Sequence, residues 1–392
     1  MYRILRILNR FNLGGPVYNA SYLTADLAPE FETTLVGGLP EAGEASALFI
    51  PTELGIQPYV LAEMRRSINF SNDRKAYRML RSIIRELKPT IVHTHASKAG
   101  ALGRLAAFHE RVPVTVHTFH GHVFHSYFNR ASTLFYKQLE RQLAAKTSAI
   151  VAISARQKEE LCEIHRIAPS HRTTIIPLGF DLNRFTLDRA LRREKFRAYY
   201  NLTDDTFAIG IVGRLAAVKN HLLFLEALAR LKQQSKSKIR AFIVGDGELR
   251  AKIEAWCDTL GLSRSTASDP RQTDVVFLSW ITDVAQILPG FDAVALTSHN
   301  EGTPVSLIEA QAAGVPVVST RVGGVADILI QGQTGLLTQP GSADDFAGAL
   351  RLLIEDQDLY DSLANQAPAY ALKNFSRERL AGDMRDLYAR LI

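Results

Sequence analysis

The sequence predicts an α/β protein built from two doubly wound parallel-sheet domains that face each other across a cleft. Three observations carry this expectation. Strand-like apolar runs alternate with helix-like segments through both halves, the pattern of parallel strands joined by crossover helices. The 392 residues are enough for two domains, each with its own core. A polar, charged stretch at 187–205 contains no apolar strand and separates the halves. The first domain is placed at 1–186, with strands at 3–8, 33–36, 90–95, 114–118, 149–153 and 174–177. The second is placed at 206–366, with strands at 208–212, 239–244, 275–278, 293–297 and 315–319. Residues 187–205 read as a linker with one short helix. Residues 367–392 read as helical, and a return to pack on the first domain is one placement the sequence allows. In such sheets ligands bind beyond the carboxyl ends of the strands, so the loops after each strand matter most.

Composition narrows the class. Apolar residues make up 46% and charged residues 22%, which is ordinary for a globular protein and not for a disordered one. No apolar run approaches the ~18 residues of a membrane span. The opening segment reads as a strand interrupted by Arg3 and Arg6, not as a signal peptide. Cys162 and Cys257 are too few and too far apart for a disulfide framework. A cytoplasmic protein is expected, with peripheral attachment to the inner face of the cell membrane as a further option.

Charge is unevenly placed. Residues 1–190 hold 24 Lys and Arg against 16 Asp and Glu, whereas residues 191–392 hold 22 against 24. The basic excess is densest in Arg65, Arg66, Arg74, Lys75, Arg78, Arg81, Arg85 and Lys88, interleaved with Met64, Ile68, Leu80, Ile83, Ile84 and Leu87. Such a segment suits an anionic membrane surface, or it is simply a solvated helix face. Nucleic acid is not expected as a partner, because the segment has few aromatics and no recognition motif occurs.

The chemistry-bearing loops follow predicted strands. Gly14-Gly15 closes the first strand, where a glycine turn admits close backbone approach and positive φ. The spacing G-x-G-x-x-G is absent, which speaks against a dinucleotide cofactor. Gly213-Arg214 with Lys219 follows the first strand of the second half and offers a guanidinium fork and a point charge to phosphate oxygens. Residues 117–125 hold four histidines, His117, His120, His122 and His125, in a spacing that matches no zinc motif. His120, beside Gly121, is the candidate for a sugar contact. His93 reads as a core residue. His95, nearer the strand end, is placed at the acceptor side with Ser97 and Lys98 beyond it. Asp246 and Glu248 in a glycine turn read as a turn and not as a metal site, and no D-x-D metal–nucleotide motif is read anywhere in the chain.

The most informative stretch is 299–309. Thr303 as N-cap and Pro304 at the first helical position predict a helix start there. Its free amides, from about Gly302 to Val305, would favour a phosphate. Glu301 lies before that anion site and Glu309 inside the helix, roughly 9 Å further along the axis at ~1.5 Å per residue. Two carboxylates bracketing a diphosphate site suit a ligand with hydroxyls at both ends, a nucleotide sugar. An ordinary acidic pair on a solvent-facing helix is the plainer alternative.

These residues, in this order, resemble retaining glycosyltransferases of family 4, whose architecture is GT-B: two Rossmann-like doubly wound domains. Glu301 and Glu309 resemble that family's E-x7-E pattern, and residues 310–318 resemble the run that follows it. Gly213-Arg214 with Lys219 resembles its phosphate-binding segment, and Gly14-Gly15, Gly323-Gly324 and Gly335-Leu336-Leu337 resemble its glycine loop and closing segments. The resemblance implies a nucleotide-sugar-binding second domain and an acceptor-binding first domain. Glu309 would hold the ribose hydroxyls, and Arg214 and Lys219 the diphosphate. Glu301, with the amides of Gly302 and Thr303, would hold the donor sugar and β-phosphate. His120 would meet the sugar near the reacting carbon.

The expected reaction is metal-independent hexosyl transfer from a nucleotide sugar, UDP-linked by preference and GDP-linked otherwise, with no cofactor. The acceptor would be a glycan or polyprenyl-linked sugar in cell-surface polysaccharide synthesis. Three departures bear on this. Asn300 precedes the first glutamate, Thr303-Pro304 follow Gly302, and Pro16 follows the glycine pair. They leave donor-sugar identity and the acceptor contact open. Rivals are a sugar-nucleotide epimerase or hydrolase of the same fold, a phosphorylase-like enzyme with a pyridoxal lysine, and a non-catalytic carbohydrate- or membrane-binding protein.

Overall fold

A computed structural model describes residues 1–12, 14–41, 44–65, 67, 69–120, 130–267 and 272–392. The chain forms two compact units: Met1–Phe180 with Phe375–Ile392, and Asp181–Asn374.

The first unit is a parallel sheet of β1 (Tyr2–Arg10), β2 (Phe31–Gly38), β3 (Tyr59–Val60), β4 (Ile91–His95), β5 (Val114–Phe119), β6 (Ala149–Ala152) and β7 (Thr173–Ile175). Their order is β3-β2-β1-β4-β5-β6-β7. The order reverses direction between β1 and β4, so the carboxyl ends of β1, β4 and β5 border a switch point where such sheets bind ligands. Strand alternation divides the core. Ile4, Ile91 and Val116 face one side, against Leu380, Met384, Leu387 and Tyr388. Leu5, Ile7 and Val92 face the other, against Leu80 and Ile84.

Leu80 and Ile84 belong to the helix Phe70–Leu87, capped by Asn69, whose side chain accepts from the Asn72 amide at 3.0 Å. This narrows the reading of the basic segment. Its apolar stripe is packed in the core, and Arg81 is tied to Glu110 at 2.5 Å. The segment exposes the cations Arg74, Lys75, Arg78, Arg85 and Lys88, with Glu86 among them and the Phe70 ring at the helix start. Arg66 and Ile68 lie outside the described residues. No helix among the described residues is long and apolar enough to cross a membrane.

The helix Arg377–Leu391 covers the other side of the sheet. Ser376 starts it by accepting from the Arg379 amide at 3.2 Å. Arg377 pairs with Asp26, and Arg379 donates to the carbonyls of Pro177 and Leu178 at 2.9 and 2.7 Å. The segment 367–392 is therefore two elements, the end of helix Gln357–Phe375 and this separate helix.

The second unit repeats the plan with β8 (Thr206–Val212), β9 (Lys238–Val244), β10 (Arg264–Thr266), β11 (Val275–Leu278), β12 (Ala293–Leu296), β13 (Val317–Thr320) and β14 (Leu336–Thr338). Their order is β10-β11-β9-β8-β12-β13-β14, again all parallel. The stretch 187–205 is not a free linker. Its helix Arg189–Tyr199 is part of this unit, with the Phe196 ring 5.1 Å from both Phe242 and Phe291. Arg193 and Arg197 grip Asp292 at 2.5 and 3.0 Å. One aromatic and two arginines anchor a helix too charged to read as packed.

Candidate active site

In the second unit the predicted residues converge at the carboxyl ends of β8, β9 and β12. Thr297, just past β12, donates from Oγ1 to the carbonyls of Lys219 and Asn220, 3.1 Å each. The His299 amide donates to Val218 at 2.8 Å. These bonds bring the turn carrying Lys219 against the loop carrying Glu301. Lys219 Nζ lies 2.7 Å from Glu301 Oε1, which also accepts from Ser298 Oγ at 2.6 Å. Ser298 is held in turn through its carbonyl, which accepts from Thr320 Oγ1 at 2.8 Å. Arg214 pairs with Glu248 at 3.0 Å, and both are largely exposed. Both cations proposed for phosphate thus carry a carboxylate partner.

Glycines make this close packing possible at two places. Gly245 has φ +131, and a Cβ there would overlap the Gly213 carbonyl. A Cβ on Gly323 or Gly324 would overlap the carbonyls of Glu301 or Gly302, and the Gly324 amide donates to Glu301 at 2.9 Å.

The helix start differs from expectation. Pro304, with φ −74 and ψ 96, is the N-cap, no side chain caps the helix, and the helix is Val305–Ala312. Pro304 stays extended and has no N–H, so the Thr303 hydroxyl is one residue too early to cap. The amides of Val305 and Ser306 donate to no described group, so the free amides lie at a helix start one residue later than expected.

Glu309 sits on this helix, half-buried. Its carboxyl makes no hydrogen bond or ion pair among the described residues. Burial pushes its pKa up to about 7, against the opposing pull of Arg184 and with a small push from Asp283. Arg184 and Asp283 are themselves paired at 2.8 Å. Sequence reasoning missed this pair and Ser298. Arg184 and Asp283 meet only through the fold, whereas Ser298 lies three residues before Glu301, a local spacing that could have found it.

In the first unit the candidates follow β1, β4 and β5. Gly14 is extended, with φ 162, and Gly15 begins the helix Gly15–Asp26, so the expected positive φ is not adopted. Leu13 lies outside the described residues. His95 is fully buried, which corrects its placement as a group reaching the ligand surface. It occupies β4, between β1 and β5. Ser97 opens the helix Ser97–His109, and Lys98 is tied to Asp73 and the Ser67 carbonyl. His120 ends the described part of this loop, half-buried, and burial pushes its pKa down to about 3. His122 and His125 lie outside the described residues. His93 is the core residue expected: its ring nitrogens meet Tyr388 at 2.6 Å and Thr118 at 2.8 Å.

Among the described residues no group of His, Cys, Asp and Glu is arranged to hold a metal ion. A D-x-D triplet does occur, away from these loops, at Asp356-Gln357-Asp358. Asp356 Oδ1 there accepts from the Leu359 amide at 2.9 Å, the bond of a helix cap.

Residues 33–184 match the model of Glycosyltransferase Family 4, and residues 192–370 match that of Glycosyl transferases group 1. The chain is 28% identical over 341 residues to the UDP-Gal:alpha-D-GlcNAc-diphosphoundecaprenol alpha-1,3-galactosyltransferase of Escherichia coli, covering 86% of this chain and 84% of that protein. Among solved structures it resembles a glycosyltransferase of Rickettsia africae, with TM-score 0.80 and 18% identity over 100% of this chain and 98% of that one. It also resembles Anabaena HepE in complex with UDP, with TM-score 0.78 and 21% identity over 99% and 100%. At such identities these structures speak for the fold, and that fold is GT-B. With one half matched by each model, the chain belongs to the glycosyltransferases, joining a family 4 first half to a group 1 second half.

Proposed function

We propose that this glycosyltransferase moves a sugar from a UDP-sugar, with retention and without a metal ion, to a glycan or polyprenyl-linked acceptor in surface-polysaccharide synthesis. The observation that carries this reading is Glu309, a carboxyl with no partner among the described residues, on a helix whose first amides are free and whose preceding loop sets Glu301 against Lys219. A ribose offers the hydroxyl donors that such a carboxyl lacks. A diphosphate would draw Arg214 from Glu248 and share Lys219 with Glu301. Glu301, freed in part, would take donor-sugar hydroxyls. Departure of the nucleoside diphosphate leaves charge on the β-phosphate, which Arg214, Lys219 and the amides of Val305 and Ser306 would stabilise.

Metal independence is supported by this set of protein donors, which can do the neutralising. Retention is supported by the family resemblance, and no carboxylate is assigned as nucleophile, so attack from the face the leaving group vacates is the simplest route. The E. coli relative's lipid-linked acceptor and the UDP bound to HepE support the acceptor and donor classes. Calorimetry with UDP and GDP in excess EDTA tests the site: UDP should bind more tightly, and Glu309→Ala should weaken binding by about 1–3 kcal/mol. Unchanged affinity in a folded variant would remove the assignment.

A further inference from the structure

Glu309 lies within reach of two charges that the proposed reaction does not use. The short helix Asn183–Thr186 packs against the helix Val305–Ala312 that carries Glu309. The strands packed on that same helix, β12 and β13, carry no charged residue. Arg184 is the one charged residue of the short helix. Its Nη2 meets Asp283 Oδ1 at 2.8 Å, and both side chains are half-exposed. Burial weighs most on the Glu309 carboxyl and disfavours its ionised form; Arg184 favours that form and Asp283 opposes it. The neighbouring charges are engaged elsewhere. Arg189 donates to the Ala313 carbonyl at the far end of the helix, at 3.2 Å, and Glu301, before the helix, holds Lys219.

The two segments are joined by more than the ion pair. Asp283 Oδ1 also accepts from the Ala285 amide at 3.3 Å, and its Oδ2 from Gln286 Nε2 at 3.0 Å. Arg192 ties the backbones together: its Nη1 donates to the carbonyl of Arg184 at 2.7 Å and to that of Ala285 at 3.3 Å. Phe185, beside Arg184, is buried. The segments therefore stay together without the ion pair, and what the pair adds is charge. A guanidinium shared with Asp283 serves Glu309 only in part, because the two opposite charges largely cancel at a distance. The share matters for binding, since an ionised carboxylate only accepts and so suits a pair of hydroxyl donors.

We infer that Arg184 and Asp283 are positioning residues for the ribose subsite, acting through Glu309: Arg184 supplies the positive charge that favours its ionised, hydroxyl-accepting form, and Asp283 holds part of that charge back. The inference rests on the reading of Glu309 as the residue that holds the ribose, whereas the charge coupling is a property of the free protein. An ion pair that only braced the fold would be broken equally from either side, and losing either partner would act in one direction. A pair that sets the charge on Glu309 gives opposite effects for its two partners.

The test is the titration of the Glu309 carboxyl carbon in the free protein, labelled with carbon-13 at glutamate and assigned through Glu309→Gln, in parallel with calorimetry of UDP. Arg184→Gln should move the midpoint up by about one pH unit, the low end for a neighbouring charge because Arg184 is half-exposed, and Asp283→Asn should move it down by about as much. From a wild-type midpoint of about 7, UDP affinity should fall about fivefold in Arg184→Gln at pH 7 and rise about fivefold in Asp283→Asn at about pH 6, both differences shrinking in alkali. Arg184→Lys keeps the charge and should stay close to the wild type. Midpoints that move the same way in both variants, or not at all, overturn the inference. So does a loss of affinity in Arg184→Gln that persists undiminished in alkali, which would mark a direct contact with the nucleotide. Opposite shifts without the matching affinity changes overturn it as well, in a protein where Glu309→Ala weakens UDP. Unchanged UDP affinity in Glu309→Ala would instead remove the ribose reading and leave the charge coupling standing on the titration.

Discussion

Glu309 is a carboxyl group that the fold leaves half-buried without a hydrogen-bond partner among the described residues, and burial pushes its pKa up to about 7 from a usual 4.5. The linkage has a definite sign. Between those values the folded chain binds the proton and the unfolded chain does not, so stability falls as pH rises through this window. Glu309→Gln cannot lose that proton. Its Tm should exceed that of the wild type at pH 8 and converge on it below pH 4.5, measured by calorimetric scans. Nucleotide binding should reverse the strain, because ribose hydroxyls donate to the ionised form. UDP should therefore release a proton near neutral pH, seen as a binding enthalpy that depends on the buffer, and Glu309→Gln should abolish the dependence. Lys219 belongs to a different step. It already holds Glu301 at 2.7 Å, and in the proposed reaction its charge would be needed most when the leaving phosphate appears. Lys219→Ala should cost about 10²–10³ in kcat and much less in UDP affinity; equal losses in both would place its role in ground-state binding.

The element carrying the most consequence outside the site is the helix Arg377–Leu391. Leu380, Met384, Leu387 and Tyr388 fall on one stripe and are buried against the first sheet. Met384→Ala or Leu387→Ala should each cost about 2–5 kcal/mol in chemical denaturation, and a loss below ~1 kcal/mol would contradict the packing described. The central strands and the loops after them were legible in the sequence because apolar runs of four to seven residues, such as β8 and β11, have a clear pattern. The edge strands β3, β10 and β14, two or three residues each, were not, since so short a stretch has no period to read, whereas the equally short β7 was legible because Ile176 extends its apolar run. The site divides likewise. Arg214, Lys219, Glu301 and Glu309 stand out by spacing on their own loops and helix. Arg184 and Asp283 matter through each other, far apart in the chain, and Ser298, though only three residues before Glu301, reads as an ordinary loop serine. Thr303 misled because a good capping residue before proline looks like a helix start, whereas ψ 96 at Pro304 delays the helix by one residue.

Over the whole molecule the two halves differ in charge, with the excess of Lys and Arg in residues 1–190. With Leu80 and Ile84 buried, the helix Phe70–Leu87 offers a membrane its cations and one exposed ring, Phe70 at its first turn. Attachment to anionic vesicles should then be mainly electrostatic, on the order of 1 kcal/mol per basic residue near the surface, and largely lost at high salt. Replacing Arg74, Lys75 and Arg78 together should release the protein in a sedimentation assay without changing UDP affinity. Binding that survives high salt would point to apolar insertion and contradict this account. The central claim concerns the reaction, and one measurement reaches it most directly: the anomeric configuration of the product made from a UDP-sugar and a polyprenyl-diphosphate-linked sugar in excess EDTA, read from the anomeric proton coupling. The account predicts transfer under chelation with the donor's configuration kept. An inverted product, or no transfer until a divalent ion is restored, would contradict it.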